Sequence, residues 1–536
     1  MATRRRWDGG DPDQLSFLNS AAYDGVLEER KPVYPLKKTM DVMSPQEAAS
    51  DEAGLEPSLG TPSQVESVTS RRRSRADLPV NVHTILALAL PSILEQLISA
   101  LIGVTDTWVA GRTGADANIH AAATAAVGTM TYLQWLAGIM TSALSVGATA
   151  IIARAIGAHR PRLATRVAGT VCSAALIVGI FVTAVFFFFP GTVVYLFGLR
   201  GIAADFGQQY LRIMSLTIFM QSAGQVGTAC LRGAGDTVRP MFVTIAVVLI
   251  NLIASPMLTF GWFGAPAMGI RGNAIGTLLA FAAAGVITFF LLLSSTGGLR
   301  LRLRHFRIIP HLLVRVLRIG LPSWLENTLL WSGQFLIVTL IINPTDAAIG
   351  ITGATMAAHA VVLRIESFAF LPGFGFGIAC STLVGQYLGA RKPAEAKHAV
   401  DLSNRLAVIT MTLAALPMVI FPRFLNGLLI DSEAVVNVGA LPLVLAGLAQ
   451  PGFAVAIIKS WALKGAGDTV SPMLSTITGM ILRFVLVFTV AAAFRHAHHA
   501  ELGLVAVWIC IFIDLNYRAV YTTLVFRTGS WQYKKV

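Results

Sequence analysis

Acidic side chains within apolar stretches are the residues of this chain best suited to do chemistry. Asp106 follows the apolar run LISALIGVT (97–105), and Glu95 lies earlier in the same stretch. A charge inside a membrane is costly, so an ionisable residue there is a candidate for function. A carboxylate can accept a proton or contribute oxygen ligands to a sodium ion. Because AGRTG (110–114) follows closely, Asp106 also fits an interfacial acid or a helix cap, and both interpretations stand.

The spacing of Glu95 and Asp106 predicts that they share a helix face. Eleven residues at about 100° each return to within about 20° of the starting direction, about 16 Å along the axis. We therefore expect both acids to face one cavity. A structural role for Glu95, as a hydrogen-bond partner of a neighbouring helix, is equally consistent with the pattern.

The elements that must position these acids are transmembrane helices. Of the 536 residues, 55% are apolar and only 13% are charged. This composition excludes a set of soluble domains and indicates an all-α integral membrane protein. A spanning helix needs about 20 apolar residues, and twelve stretches qualify: 82–110, 119–153, 167–189, 208–231, 240–261, 273–294, 314–342, 353–385, 398–421, 437–463, 472–494 and 503–526.

Basic residues mark one side of these spans. The formal net charge is +13, and the positive charges cluster in the first eighty residues, in the 154–166, 300–318 and 391–397 loops and in the C-terminal YKKV. Cytoplasmic loops carry such an excess. We therefore expect both termini in the cytoplasm and the chain in the inner membrane. The charges do not line one basic face, so nucleic acid is not an expected partner.

The sequence repeats itself after 231 or 232 residues. LALPSILEQ (88–96) matches IGLPSWLEN (319–327), and ARAIGAHRP (153–161) matches GQYLGARKP (385–393). The chain is thus a duplicated unit of six spans. Because six is even, both copies enter the membrane in the same direction. Parallel repeats of this kind are typical of alternating-access transporters.

A third repeated motif joins the fourth span to the fifth in each half. CLRGAGDTVRPM (230–241) returns as ALKGAGDTVSPM (462–473). Its glycines permit a tight or left-handed turn, and Asp236 and Asp468 can cap the helix that follows. A phosphate-binding loop is disfavoured because GxxxxGK[ST] occurs nowhere in the chain.

The second half differs in its intramembrane charges. Glu326 occupies the repeat position of Glu95, and Arg483 occupies the repeat position of Asn251. A buried cation needs an anionic partner. We predict that Glu326 pairs with Arg483.

These patterns divide the chain into five segments. We expect a disordered, basic and polar cytoplasmic tail, two bundles of six helices, a basic cytoplasmic linker between them and a cytoplasmic C-terminus. The tail is residues 1–78, and the two bundles are 80–296 and 319–528. The linker is 297–318, and the C-terminus is 529–536.

The motifs together resemble those of the multidrug and toxic compound extrusion (MATE) family, and its DinF-like branch is the most similar. The resemblance covers about residues 80–530 and rests on GVTDTWVAG (103–111), LRGAGDTVRPM (231–241), NLIASPML (251–258) and AAHAVVLRIESFAFLPGFGF (357–376). It implies a V-shaped fold of twelve helices. It also implies a drug/cation antiporter that uses H⁺ or Na⁺ as coupling ion and has no other cofactor.

The resemblance also implies a cation site in the first half. Asp106 falls on the acid that binds the coupling ion, which includes Na⁺ in some members. The family often adds an asparagine and, four residues on, an aspartate, which here are Asn251 and Ser255. Compared with the aspartate of the family, Ser255 keeps an oxygen ligand but lacks the second negative charge of the site. Thr277 and Asn273 of the sixth span are candidates to complete this cluster.

Further polar residues of the spans are candidates for a cavity lining. Gln221 and Gln225 are spaced i,i+4 in the fourth span. With Glu95, Glu326 and Arg483 they complete the candidate set. Packing between helices is an alternative role for each of them.

The sequence thus predicts a secondary antiporter, not an enzyme, that exports hydrophobic or cationic organic compounds. We expect a monomer in the lipid bilayer, with small organic molecules as substrates. One alternative is a lipid-linked oligosaccharide flippase of the same superfamily. Another is a non-transporting membrane scaffold that works through its N-terminal tail.

Overall fold

Twelve long helices, labelled α1 to α12, make up most of the described residues. The computed structural model describes residues 77–113, 117–294, 299, 301–337, 354–496, 503–534 and 536, which all belong to one compact unit, Arg71–Val536. Each helix matches one predicted span, so the all-α prediction is confirmed. The helices are α1 Val82–Ala110, α2 Ala117–Gly157, α3 Pro161–Phe188, α4 Gly201–Gly233, α5 Val238–Phe260, α6 Ile270–Leu293, α7 Pro310–Ile337, α8 Ala354–Gly389, α9 Pro393–Ile420, α10 Glu433–Gly465, α11 Val470–His496 and α12 Gly503–Arg527.

Ten of these helices are long and apolar enough, within the described residues, to cross a membrane by themselves. The other two, α4 and α7, are interrupted by polar residues. Gln221 and Gln225 lie in the middle of α4, and Glu326 lies in the middle of α7. α4 packs along α2, α3 and α6 of its own bundle, whereas α7 packs mainly along α2 of the first half and along α11, as expected for polar spans that avoid lipid.

The duplication extends to small structural details. A short helix, Pro190–Leu196, precedes α4, and a second short helix, Pro422–Gly427, precedes α10 at the equivalent repeat position. Each begins with a proline, whose fixed φ suits the first turn of a helix. The 1–78 tail lies almost entirely outside the described residues.

The two GAGDT turns lie on one face of the molecule, called here the turn face. Their second glycines, Gly235 and Gly467, have φ of 90° and 85°, which favours glycine. The aspartates cap the next helix as predicted. The backbone N–H of Arg239 donates to Asp236 Oδ1 (3.2 Å), and that of Ser471 donates to Asp468 Oδ1 (3.4 Å).

The two halves make close backbone contact near the turn face. A Cβ on Gly157 of α2 would lie 1.9 Å from the carbonyl oxygen of Gln386. Its repeat partner Gly389 on α8 would place a Cβ 2.2 Å from the carbonyl oxygen of Arg154. Only glycine permits this approach, so the pair holds α2 and α8 together at their ends.

The C-terminal segment crosses from the second half to the first on the turn face. Arg154 of α2 donates Nη1 to the carbonyl oxygen of Lys534 (2.5 Å) and Nη2 to that of Ala466 (3.1 Å). Trp531 is fully buried and stacks on Phe526, with ring centroids 4.8 Å apart. These contacts fix residues 531–534 against the ends of α2 and α12.

Candidate functional site

The structure brings the five predicted cation-site residues into one cluster. Asp106 comes from α1, Asn251 and Ser255 from α5, and Asn273 and Thr277 from α6. Asp106 is 7% exposed, and the other four side chains are fully buried. This set is called the Asp106 cluster below.

Hydrogen bonds connect the Asp106 cluster across three helices. Asn251 donates Nδ2 to Asp106 Oδ1 (3.1 Å), and Thr277 Oγ1 lies 3.1 Å from Oδ1 and 3.3 Å from Oδ2. Asn273 donates Nδ2 to the backbone carbonyl of Asp106 (3.2 Å). Ser255 Oγ lies 3.2 Å from Asn251 Nδ2, so the serine oxygen joins the network.

A close helix crossing makes this geometry possible. A Cβ on Gly276 of α6 would lie 2.4 Å from Ser255 Oγ, so only glycine allows α5 and α6 to approach here. Thr277 follows this glycine directly, and Asn273 lies one turn before Thr277. The crossing therefore brings all four α5 and α6 side chains within reach of Asp106.

The Asp106 cluster has an unbalanced set of acceptors. Among the described residues, no basic side chain forms an ion pair with Asp106, whose contacts are the neutral Asn251 and Thr277. The amide oxygens of Asn251 and Asn273 are buried without a hydrogen-bond partner. Buried unpaired acceptors and charges are unfavourable. A bound proton or cation would remove part of that cost.

Sequence reasoning missed a sixth member of this neighbourhood. Tyr210 of α4 is 2% exposed and lies within interaction distance of Asp106 and Thr277. A tyrosine in an apolar run is ordinarily a core residue, and no motif singled it out. Its phenol group brings a hydroxyl from a fourth helix into this neighbourhood.

Glu95 and Asp106 have different partners in the described structure. Glu95 pairs with Arg232 of α4, with Arg232 Nη1 2.6 Å from Glu95 Oε1. Asp106 contacts α5 and α6 instead. Both acids are buried, and different neighbours cover them at the two levels. That they face one cavity stays a prediction.

The two glutamines of α4 lie outside the Asp106 cluster. Gln225 Oε1 accepts a hydrogen bond from Thr141 of α2, which is the packing role. The amide oxygen of Gln221 is buried without a hydrogen-bond partner. Neither side chain has a hydrogen bond to Asp106 in the described structure.

The predicted pair of Glu326 with Arg483 is wrong. Glu326 of α7 pairs with Lys464 of α10, whose Nζ lies 3.0 Å from Glu326 Oε2. Lys464 occupies the repeat position of Arg232, so Glu326–Lys464 is the repeat equivalent of Glu95–Arg232. The duplication conserves a whole ion pair, and this was the signal available in the sequence.

Arg483 belongs instead to a charge-balanced network in the second half. It pairs with Asp514 of α12, which is fully buried. Arg518 also binds Asp514, with Nε 2.8 Å from Oδ1 and Nη2 3.0 Å from Oδ2. Glu366 of α8 accepts a hydrogen bond from Gln450 (3.3 Å) and lies within electrostatic range of Arg483. Two acids thus face two arginines.

Two related bundles of six helices, with polar clusters inside their spans, define the class of membrane transporters built from internal repeats. The MatE family model matches residues 91–257 and 322–489, one match in each half and more than half of the chain together. The chain belongs to the MatE family, and it is a multi-pass membrane transporter. The predicted MATE resemblance is confirmed, and the branch within the family stays a prediction.

Curated relatives match over most of their length. The chain is 28% identical to the probable multidrug resistance protein NorM of Thermotoga maritima, over 86% of this chain and 96% of that protein. It is 24% identical to the uncharacterized transporter YisQ of Bacillus subtilis, over 84% of this chain and 94% of that protein.

Solved structures share the fold. A crystal structure of MATE in complex with MaL6 superposes with a TM-score of 0.73 at 23% identity, over 84% of this chain and 97% of that chain. An outward-facing MATE family transporter of the MOP superfamily superposes with a TM-score of 0.72 at 24% identity, over 84% and 96% of the two chains. These similarities confirm the twelve-helix fold of the MATE type.

Proposed function

We propose that this chain is a secondary antiporter that exports hydrophobic or cationic organic compounds in exchange for H⁺ or Na⁺. The observation that carries this proposal is the buried, unpaired carboxylate of Asp106 beside two buried amide oxygens without partners. The substrate class is supported by relatives such as the probable multidrug resistance protein of Thermotoga maritima.

The chemistry of the Asp106 cluster suits either ion. A proton would neutralise the Asp106 carboxylate directly. A sodium ion would take oxygen ligands from Asp106 and from the neighbouring amide and hydroxyl groups, which are the ligand type that hard cations prefer. In both cases the ion is held by α1, α5 and α6 together, so its binding favours the arrangement of these three helices.

Ion binding and substrate binding would then be coupled. If the ion favours the state that releases substrate, substrate must weaken ion binding by the same factor. The ion gradient thereby drives export. We also propose that the turn face is cytoplasmic in the inner membrane, because the clustered arginine and lysine residues lie on that side.

The pairing of four intramembrane cations with acids disfavours the flippase alternative, and Lys459 lies over the Phe526 ring. A site for a polyanionic lipid-linked sugar would need basic side chains free to face the substrate. Arg483 and Arg518 are bound by Asp514, and Arg232 and Lys464 are bound by their glutamates. The scaffold alternative depends on residues 1–78, which lie almost entirely outside the described residues.

Transport by proteoliposomes tests the proposal. Ethidium flux is measured with a proton gradient or a sodium gradient imposed separately, for the wild type, Asp106→Asn and Asp205→Asn. The Asp205→Asn variant is the matched control, because it makes the same chemical change at an exposed acid of α4. We expect one gradient to drive flux in the wild type and in the control, and Asp106→Asn to abolish it.

A second readout tests the coupling directly. In the proton case, ethidium added to the purified protein in weakly buffered solution should release protons from the wild type and none from Asp106→Asn. If gradient-driven flux survives in Asp106→Asn, the Asp106 cluster is not the site of the coupling ion. If the folded wild type shows no flux under either gradient, the proposed antiport activity is wrong.

A further inference from the structure

The linker between the two halves is tied firmly to the surface of the first half. Leu299 and Leu301 are buried, at 0% and 2% exposure. Thr170 of α3 donates Oγ1 to the carbonyl oxygen of Arg307 (3.3 Å). A Cβ on Gly169 would lie 2.1 Å from the carbonyl oxygen of His305. Residues 301–309, called here the strap, therefore lie directly against α3.

The strap lies where the apolar part of α3 begins. The run VAGTVCSAALIVGIFVTAVFFFF (167–189) follows Arg166, and the strap crosses α3 at residues 169 and 170. The Phe306 ring of the strap packs on Phe289 of α6, with centroids 5.6 Å apart. This position corresponds to the boundary between the hydrocarbon core and the headgroups of a bilayer.

The outward side of the strap carries arginines. Arg302, Arg304 and Arg307 are exposed, and Leu303 between the first two is 70% exposed. Arg166 of α3 joins them, since it lies within electrostatic range of His305. None of these four arginines forms an ion pair with an acidic side chain of the described residues.

Partial burial, and then the charges of Arg304, Arg302 and Arg166, lower the pKa of His305. The His305 ring also accepts a hydrogen bond at Nδ1 from the backbone N–H of Arg302 (3.0 Å), so this nitrogen carries no proton. The positive field of the strap thus comes from the arginines.

Like charges gathered without counter-charges repel one another, and a bound anion relieves that repulsion. Guanidinium groups bind phosphate through two parallel N–H donors, which a lysine cannot offer. An exposed leucine between two arginines adds an apolar contact suited to acyl chains.

We propose that the strap and Arg166 bind the phosphate headgroup of an anionic phospholipid, with Leu303 directed into the bilayer. The partner is a lipid of the leaflet on the turn face, which the charge distribution predicts to be cytoplasmic. This inference is independent of the proposed transport activity, because none of these residues belongs to the Asp106 cluster.

Lipid binding to the full-length protein in detergent micelles tests the proposal. Phosphatidylglycerol, phosphatidylcholine and inorganic phosphate are compared by native mass spectrometry and by the thermal unfolding midpoint. We expect binding and stabilisation by phosphatidylglycerol only. The triple variant Arg302→Gln/Arg304→Gln/Arg307→Gln should lose at least about tenfold in affinity for it.

A matched control removes the same charge from the other half. The triple variant Arg391→Gln/Lys397→Gln/Arg527→Gln alters exposed residues near the turn-face ends of α8, α9 and α12. We expect its affinity to stay within about twofold of the wild type. Equal losses of phosphatidylglycerol affinity in both triple variants would mean that only the overall surface charge matters, and the proposed site on the strap would be wrong. Equal stabilisation by inorganic phosphate would overturn the lipid assignment.

The arginines also act as topology signals, so a second variant keeps the positive charge. Arg302→Lys/Arg304→Lys/Arg307→Lys retains the charges that orient the spans but lacks the planar donor pair. We expect normal insertion and several-fold weaker phosphatidylglycerol binding. Unchanged affinity in this folded variant would show that these guanidinium groups do not recognise the phosphate.

Discussion

The two halves share a framework and differ in their intramembrane polar groups. In the first half, the carboxylate of Asp106 is held by neutral side chains of α5 and α6. In the second half, the repeat positions of Asp106 and Ser255 are Ile337 and Val487, and that of Asn251 is Arg483. Arg483 is bound by Asp514, which Arg518 also binds.

The difference separates structural residues from functional ones. Features present in both halves, such as the GAGDT turn and the ion pairs Glu95–Arg232 and Glu326–Lys464, maintain the common bundle. Among the described residues of these two clusters, Asp106 has only neutral hydrogen-bond partners, whereas Asp514 is paired with two arginines and Glu366 lies within electrostatic range of Arg483. In the second network the charges of two acids balance those of two arginines, which suits a structural role.

The largest expected effect comes from removing the acid at the centre of the second network. Asp514→Asn leaves Arg483 and Arg518 without their shared carboxylate, and we expect a loss of about 3–5 kcal/mol in the free energy of unfolding. Asp106→Asn removes an unpaired charge, so we expect a change below about 1 kcal/mol. Thermal unfolding in detergent micelles measures both. Equal losses would mean that Asp106 is also charge-balanced, and the contrast between the halves would fail.

The ion pairs that both halves conserve should respond alike. Glu95→Gln strands Arg232, and Glu326→Gln strands Lys464, because each cation is largely buried. We expect each variant to lose about 1–3 kcal/mol in the same unfolding assay. A loss confined to one half would show that the pairs have diverged in role.

Both turn glycines should resist substitution. Gly235→Ala and Gly467→Ala each place a side chain in the left-handed region, at a cost of about 1–2 kcal/mol. A Cβ at Gly467 would also lie 2.2 Å from Val536 Cγ2. We therefore expect a lower unfolding midpoint for both variants, and the Val536 contact adds to the drop for Gly467→Ala. Gly128→Ala serves as control, since nothing lies within 4 Å of its Cβ position.

The smallest expected effect tests a single donor of the Asp106 cluster. Thr277→Val keeps the shape of the side chain and removes the hydroxyl near both carboxylate oxygens. A lost hydrogen bond of about 1 kcal/mol corresponds to about a fivefold change in affinity for the coupling ion. The ion concentration at half-maximal flux measures it, and Thr277→Ser should retain the wild-type value. No difference between the two variants would place the ion away from Thr277.

Sequence patterns predict features that depend on a single helix, such as its position in the chain and its cap. Apolar length located all twelve helices, and Asp236 and Asp468 were recognisable as caps from the turn motif alone. The Asp106 cluster was accessible because the family motif and the spacing of Asn251 and Ser255 fix positions on known spans.

Contacts between helices were harder to predict. Arg483 has a long side chain, and its partner depends on which helix packs beside α11; the partner proved to be Asp514 of α12, not Glu326 of α7. Arg232 and Lys464 were not singled out, although their alignment with Glu95 and Glu326 in both copies was visible in the repeat.

The contacts of Arg154 set an order for the biosynthesis of this protein. Its partner Lys534 lies 380 residues further along the chain, which a ribosome adds in about 20–80 s at about 5–20 residues per second. The helices α3 to α12 are made in that interval, and the guanidinium of Arg154 lacks both of its carbonyl partners until Ala466 is made. The contact of Arg154 with Lys534 therefore forms only after both bundles have been synthesised, whereas the glycine crossing of α2 and α8 and the contact with Ala466 can form earlier. A nascent chain stalled before Ser530 would hold both sets of helices without the final connection between them.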